Sequence, residues 1–302
     1  MLKEVFYWIF NMSIAASITG ALVMLLRLIK TIPRRVTVLL WIVPFVRMAF
    51  PLGVNSPYGL MALISKITAK TVTVYQLHDE IVFSSTNYIM VADSYFPVAY
   101  KTESLENIFS VASVIWIVVL LTIILTMLVT YFTTMREIKD ATHLTDNIYL
   151  SDKVTSPAVY GIIRPKIILP KDSKDTELII LHEKAHIKRL DNLWRLLAFM
   201  ITALHWFNPL SWIFFRELLA DIELSCDEYV IKRLGADRIK EYALTLINSK
   251  KGTSVFASTF GGAKIRTRIE NILSFKKLTG FSLIVFIVLL GVVFYALLTN
   301  AG

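Results

Sequence analysis

The chain has 302 residues, of which 55% are hydrophobic and only 18% charged, with a formal net charge of +9. That balance excludes an ordinary soluble globular protein, where about a quarter of residues are charged. In so apolar a chain the surplus of Lys and Arg reports membrane orientation before nucleic acid, and no direct nucleic-acid partner is expected. The single cysteine, Cys226, permits no intrachain disulfide and fits a reducing compartment for the soluble part.

A helix that crosses a bilayer needs roughly 17–25 apolar residues. Val5 to Leu26 is such a run and is read as a first span. Ala15-Ala16-Ser17 offers a signal-peptide cleavage site, but the apolar run continues beyond it. Arg27, Lys30, Arg34 and Arg35 follow without an acid among them, which marks a short cytoplasmic loop. Val36 to Val54 returns across the membrane, interrupted by Pro44, Arg47 and Pro51. Arg47 either pairs inside a helical bundle or snorkels to the interface.

Residues 55 to 107 carry Asp79, Glu80, Asp93, Glu103 and Glu106 against Lys66, Lys70 and Lys101, an acidic balance that suits the outer face. Thr71 to Tyr75 alternates like a strand and Tyr88 to Val91 does so more weakly. His78-Asp79-Glu80 has metal-binding residue types, with a solvated turn as the plainer reading. Ile108 to Phe132 is an uncharged run that carries the chain back inside. From Thr133 to Gly280 the composition is that of a soluble domain, with 23 Lys or Arg against 17 Asp or Glu. Phe281 to Leu298 is a last apolar run, anchored at its inner end by Lys276-Lys277.

The expected fold class is therefore a mainly α membrane protein with about four transmembrane helices and a cytoplasmic zincin-like α+β domain. Its parts are residues 1–132 with three spans and an extracellular loop at 55–107, an inner domain at 133–280, and a C-terminal span at 281–302.

Within the inner domain, Ser156 to Pro170 reads as two short strands bracketed by Gly161 and Pro165. The second offers either a plain hairpin or a free edge for an extended peptide. The apolar run Leu178 to Leu181 then leads into His182-Glu183-Lys184-Ala185-His186. On a helix, positions four apart share a face, so both imidazoles can meet one zinc ion with Glu183 beside them as general base. A catalytic zinc needs a third protein ligand. Glu223 supplies a carboxylate on a predicted helix, and Asp227, one turn on, would accept a ligand histidine's ring N–H. Cys226 and His205 are competing ligands.

Leu193 to Phe215 is long enough to cross a bilayer, but a crossing would part His182 and His186 from Glu223. A helical hairpin turning at Phe207-Asn208-Pro209 reconciles the two, its tip against or within the membrane. His186 lies about 21 residues before that turn and Glu223 about 15 after it, a height difference of roughly 9 Å at helical rise.

Taken together, His182 to Asp191, Trp206 to Trp212 and Glu223 to Asp227 resemble the membrane-embedded zinc metallopeptidases of the BlaR/MecR antirepressor type. Ser156 to Pro170 and Ala257-Ser258-Thr259-Phe260-Gly261-Gly262 also look like family sequence. The resemblance implies zinc held by His182, His186 and Glu223, with Glu183 as general base and Asp227 behind the ligands. It implies a protein substrate, either a transcriptional repressor or the enzyme's own chain. Antibiotic-sensing members carry a penicillin-binding domain after the last span, whereas this sequence stops at Gly302. The chain then reads as a sensorless relative, a truncated form, or one half of a two-protein receptor; the last reading adds a separate sensor protein to the expected partners, beside the bilayer. A housekeeping membrane protease and a receptor that signals by contact are the alternatives. Tyr160, His205, Arg216 and Tyr229 are the candidates for stabilising the oxyanion.

Overall fold

A computed structural model describes residues 1–29, 32–50, 56–59, 62, 103–173, 176–235, 237–248, 263–275 and 280–299. The strands expected at 71–75 and 88–91, the His78 triplet, the 257–262 segment and Lys276-Lys277 lie outside them. The described chain is mainly helical, with one small sheet inserted between two helical groups.

The first group begins with α1 (Leu2–Arg27), followed by α2 (Arg34–Leu40) and α3 (Ile42–Ala49). Pro33 sets the extended entry into α2, and the extended Phe50 precedes Pro51, which disfavours a helical residue before it. Long helix α4 (Glu103–Glu137) follows. Two of these helices, Leu2–Arg27 and Asn107–Glu137, are long and apolar enough to cross a membrane, with mean hydropathies of 1.9 and 2.9. Much of α4 faces outward with Val111, Val114, Ile115, Val118, Leu121, Leu125 and Phe132 exposed. Its threonines 122, 126, 130, 133 and 134 return their hydroxyls to carbonyls one turn back. Such internal satisfaction lets a polar side chain sit on a lipid-facing surface. The last helix, α10 (Gly280–Leu298), is also apolar and exposes Ile284, Val288 and Val292.

Arg47 is buried and faces protein. Its Nε donates to Leu297 O at 2.9 Å and its Nη2 to Thr299 O at 2.6 Å. The guanidinium thus satisfies carbonyls at the C-terminal end of α10, where positive charge is favoured.

The sheet has the order β1-β2-β4-β3, from β1 (Thr142–Thr145), β2 (Ile148–Ser151), β3 (Ala158–Tyr160) and β4 (Lys166–Pro170). β2 and β4 run parallel, and both outer pairings are antiparallel. The hairpin read at 156–170 is present as β3 and β4, with Val159 opposite Ile167. Gly161 takes a φ of 87°, a conformation a side chain resists, and a Cβ there would also lie 3.2 Å from Arg164 O. Strands β1 and β2 had no sequence expectation. Their turn relies on Asp146 at a φ of 46°, a region aspartate tolerates better than most residues. β3 is an edge strand beside α5 (Thr176–Arg189), the helix that carries both histidines.

Leu190, at a φ of 56°, ends α5 and starts α6 (Asp191–Leu204). The expected hairpin then turns where the sequence placed it. Asn208 caps α7 (Pro209–Leu234) by accepting from Leu210 N at 3.0 Å, and Pro209 occupies the first turn. The Asn208 amide also donates to Ser13 Oγ and Ser17 Oγ, both at 2.8 Å, which fastens the tip to α1. Trp116 Nε1 on α4 donates to Leu204 O at 2.9 Å, so the tip lies inside the apolar bundle. The break at Leu190 puts His186 on a separate helix from the hairpin's first arm.

Helix α7 joins two cores. Phe214, Phe215, Leu218, Leu219 and Ile222 belong to the bundle, while Cys226, Val230 and Ile231 pack with α5, α8 (Ile239–Asn248) and α9 (Ile265–Leu273). Between the cores, fully buried Asp221 accepts from Arg27 Nε and Trp41 Nε1, each at 2.8 Å. Gly235, at a φ of 82°, terminates α7.

Candidate metal centre

Histidines 182 and 186 lie one turn apart on α5 and are both buried, their Nε2 atoms 3.1 Å apart. Each ring is held from behind. His186 Nδ1 lies 2.6 Å from Asp191 Oδ2, an acceptor-only group when ionised. His182 Nδ1 lies 2.8 Å from the Tyr242 hydroxyl, which in turn donates to Asp227 Oδ1 at 2.7 Å. Burial, then the charge of Asp227, holds the Tyr242 phenol well above its ordinary pKa, so it stays a neutral donor. With both Nδ1 protons committed in this way, both Nε2 atoms face one point, where a metal ion can take the place of the proton they share.

Glu223 reaches the same point from α7. Its Oε2 is 3.6 Å from His182 Nε2 and its Oε1 is 3.6 Å from His186 Nε2. Burial alone would raise this carboxyl. His186 and His182, with Arg195 and Arg268, overcome that and hold it well below the usual carboxylate range. Ligand nitrogens about 2 Å from a shared zinc ion stand roughly 3–3.5 Å apart, so two imidazoles at 3.1 Å with an ionised carboxylate beside them fit such an ion. Cys226 is close as well: its thiol and the two imidazoles offer ligand atoms all within 4.8 Å of one another. Its Sγ donates to His182 O at 3.6 Å. Burial would raise this thiol, but the two neighbouring histidines bring it down to about 7.

Glu183 is buried next to His182 on α5 and makes no hydrogen bond or ion pair among the described residues. Asp227 is fully buried, 3.4 Å from His182 Nδ1. Its shorter bonds go to Tyr242 and to Arg268, so the phenol stands between the carboxylate and the ring. His205 is remote from this cluster and bonds Met48 O at 3.0 Å in the bundle. Arg216 pairs with its neighbour Glu217, and Tyr229 lies under Arg233.

Four residues of the centre were not singled out from sequence. Asp191 and Arg195 had a readable signal, as charges at the start of an apolar helix directly after the histidines. Tyr242 and Arg268 arrive from α8 and α9, 60 and 86 residues from His182, with no local pattern to mark them. Beside the cluster, a small cleft is lined by Val159, Gly161 and Ile162 of the β3 hairpin and by His186, Leu190 and Leu193. The Asn192 amide donates to Val159 O and Gly161 O, both at 3.1 Å, and so fixes the hairpin against α6.

Two imidazoles and a carboxylate thus converge on packed helices beside an apolar bundle whose outer faces suit lipid. The family comparison supplies the class: the BlaR1 peptidase M56 family matches residues 7–272, and the chain belongs to that family of metallopeptidases. It is 32% identical over 159 residues to the regulatory protein BlaR1 of Bacillus licheniformis, covering 47% of this chain and 26% of that protein. It is 31% identical over 111 residues to the methicillin resistance mecR1 protein of Staphylococcus aureus, covering 35% of this chain and 19% of that one. A regulatory protein BlaR1 of Staphylococcus aureus is 26% identical over 135 residues, 40% of this chain and 23% of its own length. The matched segments thus span about a quarter or less of these curated relatives.

Proposed function

We propose that this chain is an integral membrane zinc endopeptidase of bacterial signal transduction, acting on a cytoplasmic repressor or on its own chain. The observation that carries this reading is the convergence of His182 Nε2, His186 Nε2 and the Glu223 carboxylate, with both rings fixed through their far nitrogens. We assign the metal to these three residues. Glu223 is preferred to Cys226 because it is ionised by its surroundings and bridges both rings, whereas the thiol hydrogen is given to His182 O.

Zinc, when bound there, supplies a Lewis acid that polarises a carbonyl and lowers the pKa of water to about 7. Glu183, without a side-chain partner among the described residues, takes the proton from the attacking water and delivers it to the leaving amine. Asp191 and Tyr242 keep the two imidazoles in the tautomer that leaves Nε2 bare. An extended peptide laid along the β3 edge would pass beside the small cleft at His186.

The charge pattern supports four crossings, with the N-terminus outside, residues 27–35 inside, 55–107 outside, 133–280 inside and the C-terminus outside. The hairpin tip then enters the membrane from the cytoplasmic side, which keeps α5 and the middle of α7 on one face.

Glu183→Gln tests the reading. Comparing newly formed protein N-termini in cells carrying the wild type or the variant identifies the substrate. The variant should keep its zinc and lose every wild-type cleavage. Unchanged cleavage in the variant would exclude this proteolysis, and unchanged signalling without cleavage would favour a receptor acting by contact.

A further inference from the structure

One largely covered cation outside the assigned set stands against the metal cluster. Arg268, on α9, has a side chain only 15% exposed. Its Nε donates to Asp227 Oδ2 at 2.8 Å and its Nη2 to Asp227 Oδ1 at 2.7 Å. A guanidinium has five N–H groups, and this bidentate grip uses two. Of the remaining three, Nη1 and Nη2 each have one to turn toward the cluster. Nη2 lies 3.3 Å from His182 Nε2, and Nη1 lies 3.6 Å from Glu223 Oε2.

The orientation is built rather than incidental. Asp227 is itself fixed by the Tyr242 hydroxyl at 2.7 Å, and the Asn271 amide ties α9 to Leu224 O of α7 at 3.4 Å. Arg195, the other arginine at the site, bonds Glu223 Oε1 and is 31% exposed, with no bond to either imidazole. Arg268 is thus the cation whose spare donors point at the place where the two Nε2 atoms converge.

We infer that Arg268 is a catalytic residue that binds the scissile carbonyl oxygen and stabilises the negative charge developing on it. The inference rests on the proteolytic reading above. An ion that takes the His182 Nε2 lone pair removes the second acceptor of Arg268 Nη2, 3.3 Å away, while the bond to Asp227 stays, and a peptide carbonyl oxygen is the acceptor that replaces it. In the attack, a water O–H bond breaks and a C–O bond forms, while the carbonyl π pair moves onto the oxygen facing Arg268. The proton goes to Glu183 and then to the nitrogen as the C–N bond breaks. Arg268 keeps its protons throughout. A fixed donor costs no reorganisation when the charge appears, which is why removing one lowers kcat by about 10²–10³-fold.

The test uses the full chain in detergent, loaded with cobalt(II), as wild type, Arg268→Ala and Arg268→Lys. Three quantities are read: cobalt content, cleavage of fluorescent casein, and affinity for N-phosphoryl-leucinamide, a tetrahedral oxyanion, followed by cobalt absorption. Arg268→Ala should retain its cobalt, lose about 10²–10³-fold in kcat with KM little changed, and bind the phosphoryl probe correspondingly more weakly. Added ethylguanidinium should restore part of both losses. Arg268→Lys should recover less, because an ammonium cannot make the bidentate grip on Asp227. Cleavage and probe affinity within about threefold of wild type in Arg268→Ala would overturn the inference. So would cobalt loss in both variants with cleavage tracking occupancy, which makes the arginine structural. A wild type that binds cobalt and the probe but cuts no casein and no cellular protein sinks the proteolytic reading instead, and the probe arm still judges Arg268.

Discussion

Tyr242→Phe removes one hydroxyl and little else, because the ring stays packed among Leu178, Val230 and Ile231. That hydroxyl lies 2.8 Å from His182 Nδ1 and donates to Asp227 at 2.7 Å. Its loss leaves a buried imidazole N–H whose nearest remaining acceptor, Asp227 Oδ1, is 3.4 Å away. A buried donor without a partner costs about 1–3 kcal/mol. Asp227 is less affected, since it keeps both bonds from Arg268. Part of the cost falls on the metal-free fold, and part on the ring tautomer that presents Nε2. Partners behind a metal-bound histidine are worth about 10–100-fold in affinity, so zinc binding should weaken by that range. The assay is a competition titration of purified protein in detergent against a chelating dye, with the metal-free melting temperature measured alongside. Zinc affinity within about threefold of wild type would refute the claim that this phenol orients His182.

Zinc uptake should depend steeply on pH. In the metal-free site, burial pushes His186 down, but Cys226, Glu223 and Asp191 outweigh it and raise the imidazole to about 9. Below that pH a proton holds the place between the two Nε2 atoms and the metal must displace it. Affinity should therefore rise at least about tenfold per unit between pH 6 and 8, and a flat titration would contradict the assignment. Asp221→Ala leaves the buried Trp41 N–H without its acceptor in the seam between the two cores and takes one of two carboxylates from Arg27, which keeps Glu217 at 2.8 Å. A buried donor left without a partner costs about 1–3 kcal/mol, visible as a lower unfolding midpoint in detergent; no change would show that the seam carries no stability. Gly20→Ala would place a Cβ 2.1 Å from the buried Phe214 ring, where α1 meets α7. Overpacking of this kind costs about 1–3 kcal/mol, and a variant as stable as wild type would mean that the helices separate freely there.

The sequence by itself determined the local features. Helical spacing put His182 and His186 on one face, and the Asn208-Pro209 pair set the turn that returns Glu223 to them, because capping and φ preferences act over a few residues. Apolar run lengths marked α1 and α4, the two described helices long and apolar enough to cross a membrane, whereas the run from Val36 folds as the two short helices α2 and α3 over its described residues. The tertiary structure alone decided what surrounds the metal cluster. Arg47 could have faced lipid headgroups or protein, and only the placement of α10 put carbonyls within its reach. Asp227 was legible as a carboxylate near the ligands. Its partners were not, since Tyr242 and Arg268 come from helices whose own sequences give no reason to meet it. Helix capping and side-chain spacing are short-range effects. The guanidinium facing His182 exists because three separate helices pack against α7, and the two histidines at its centre acquire their chemistry from that packing.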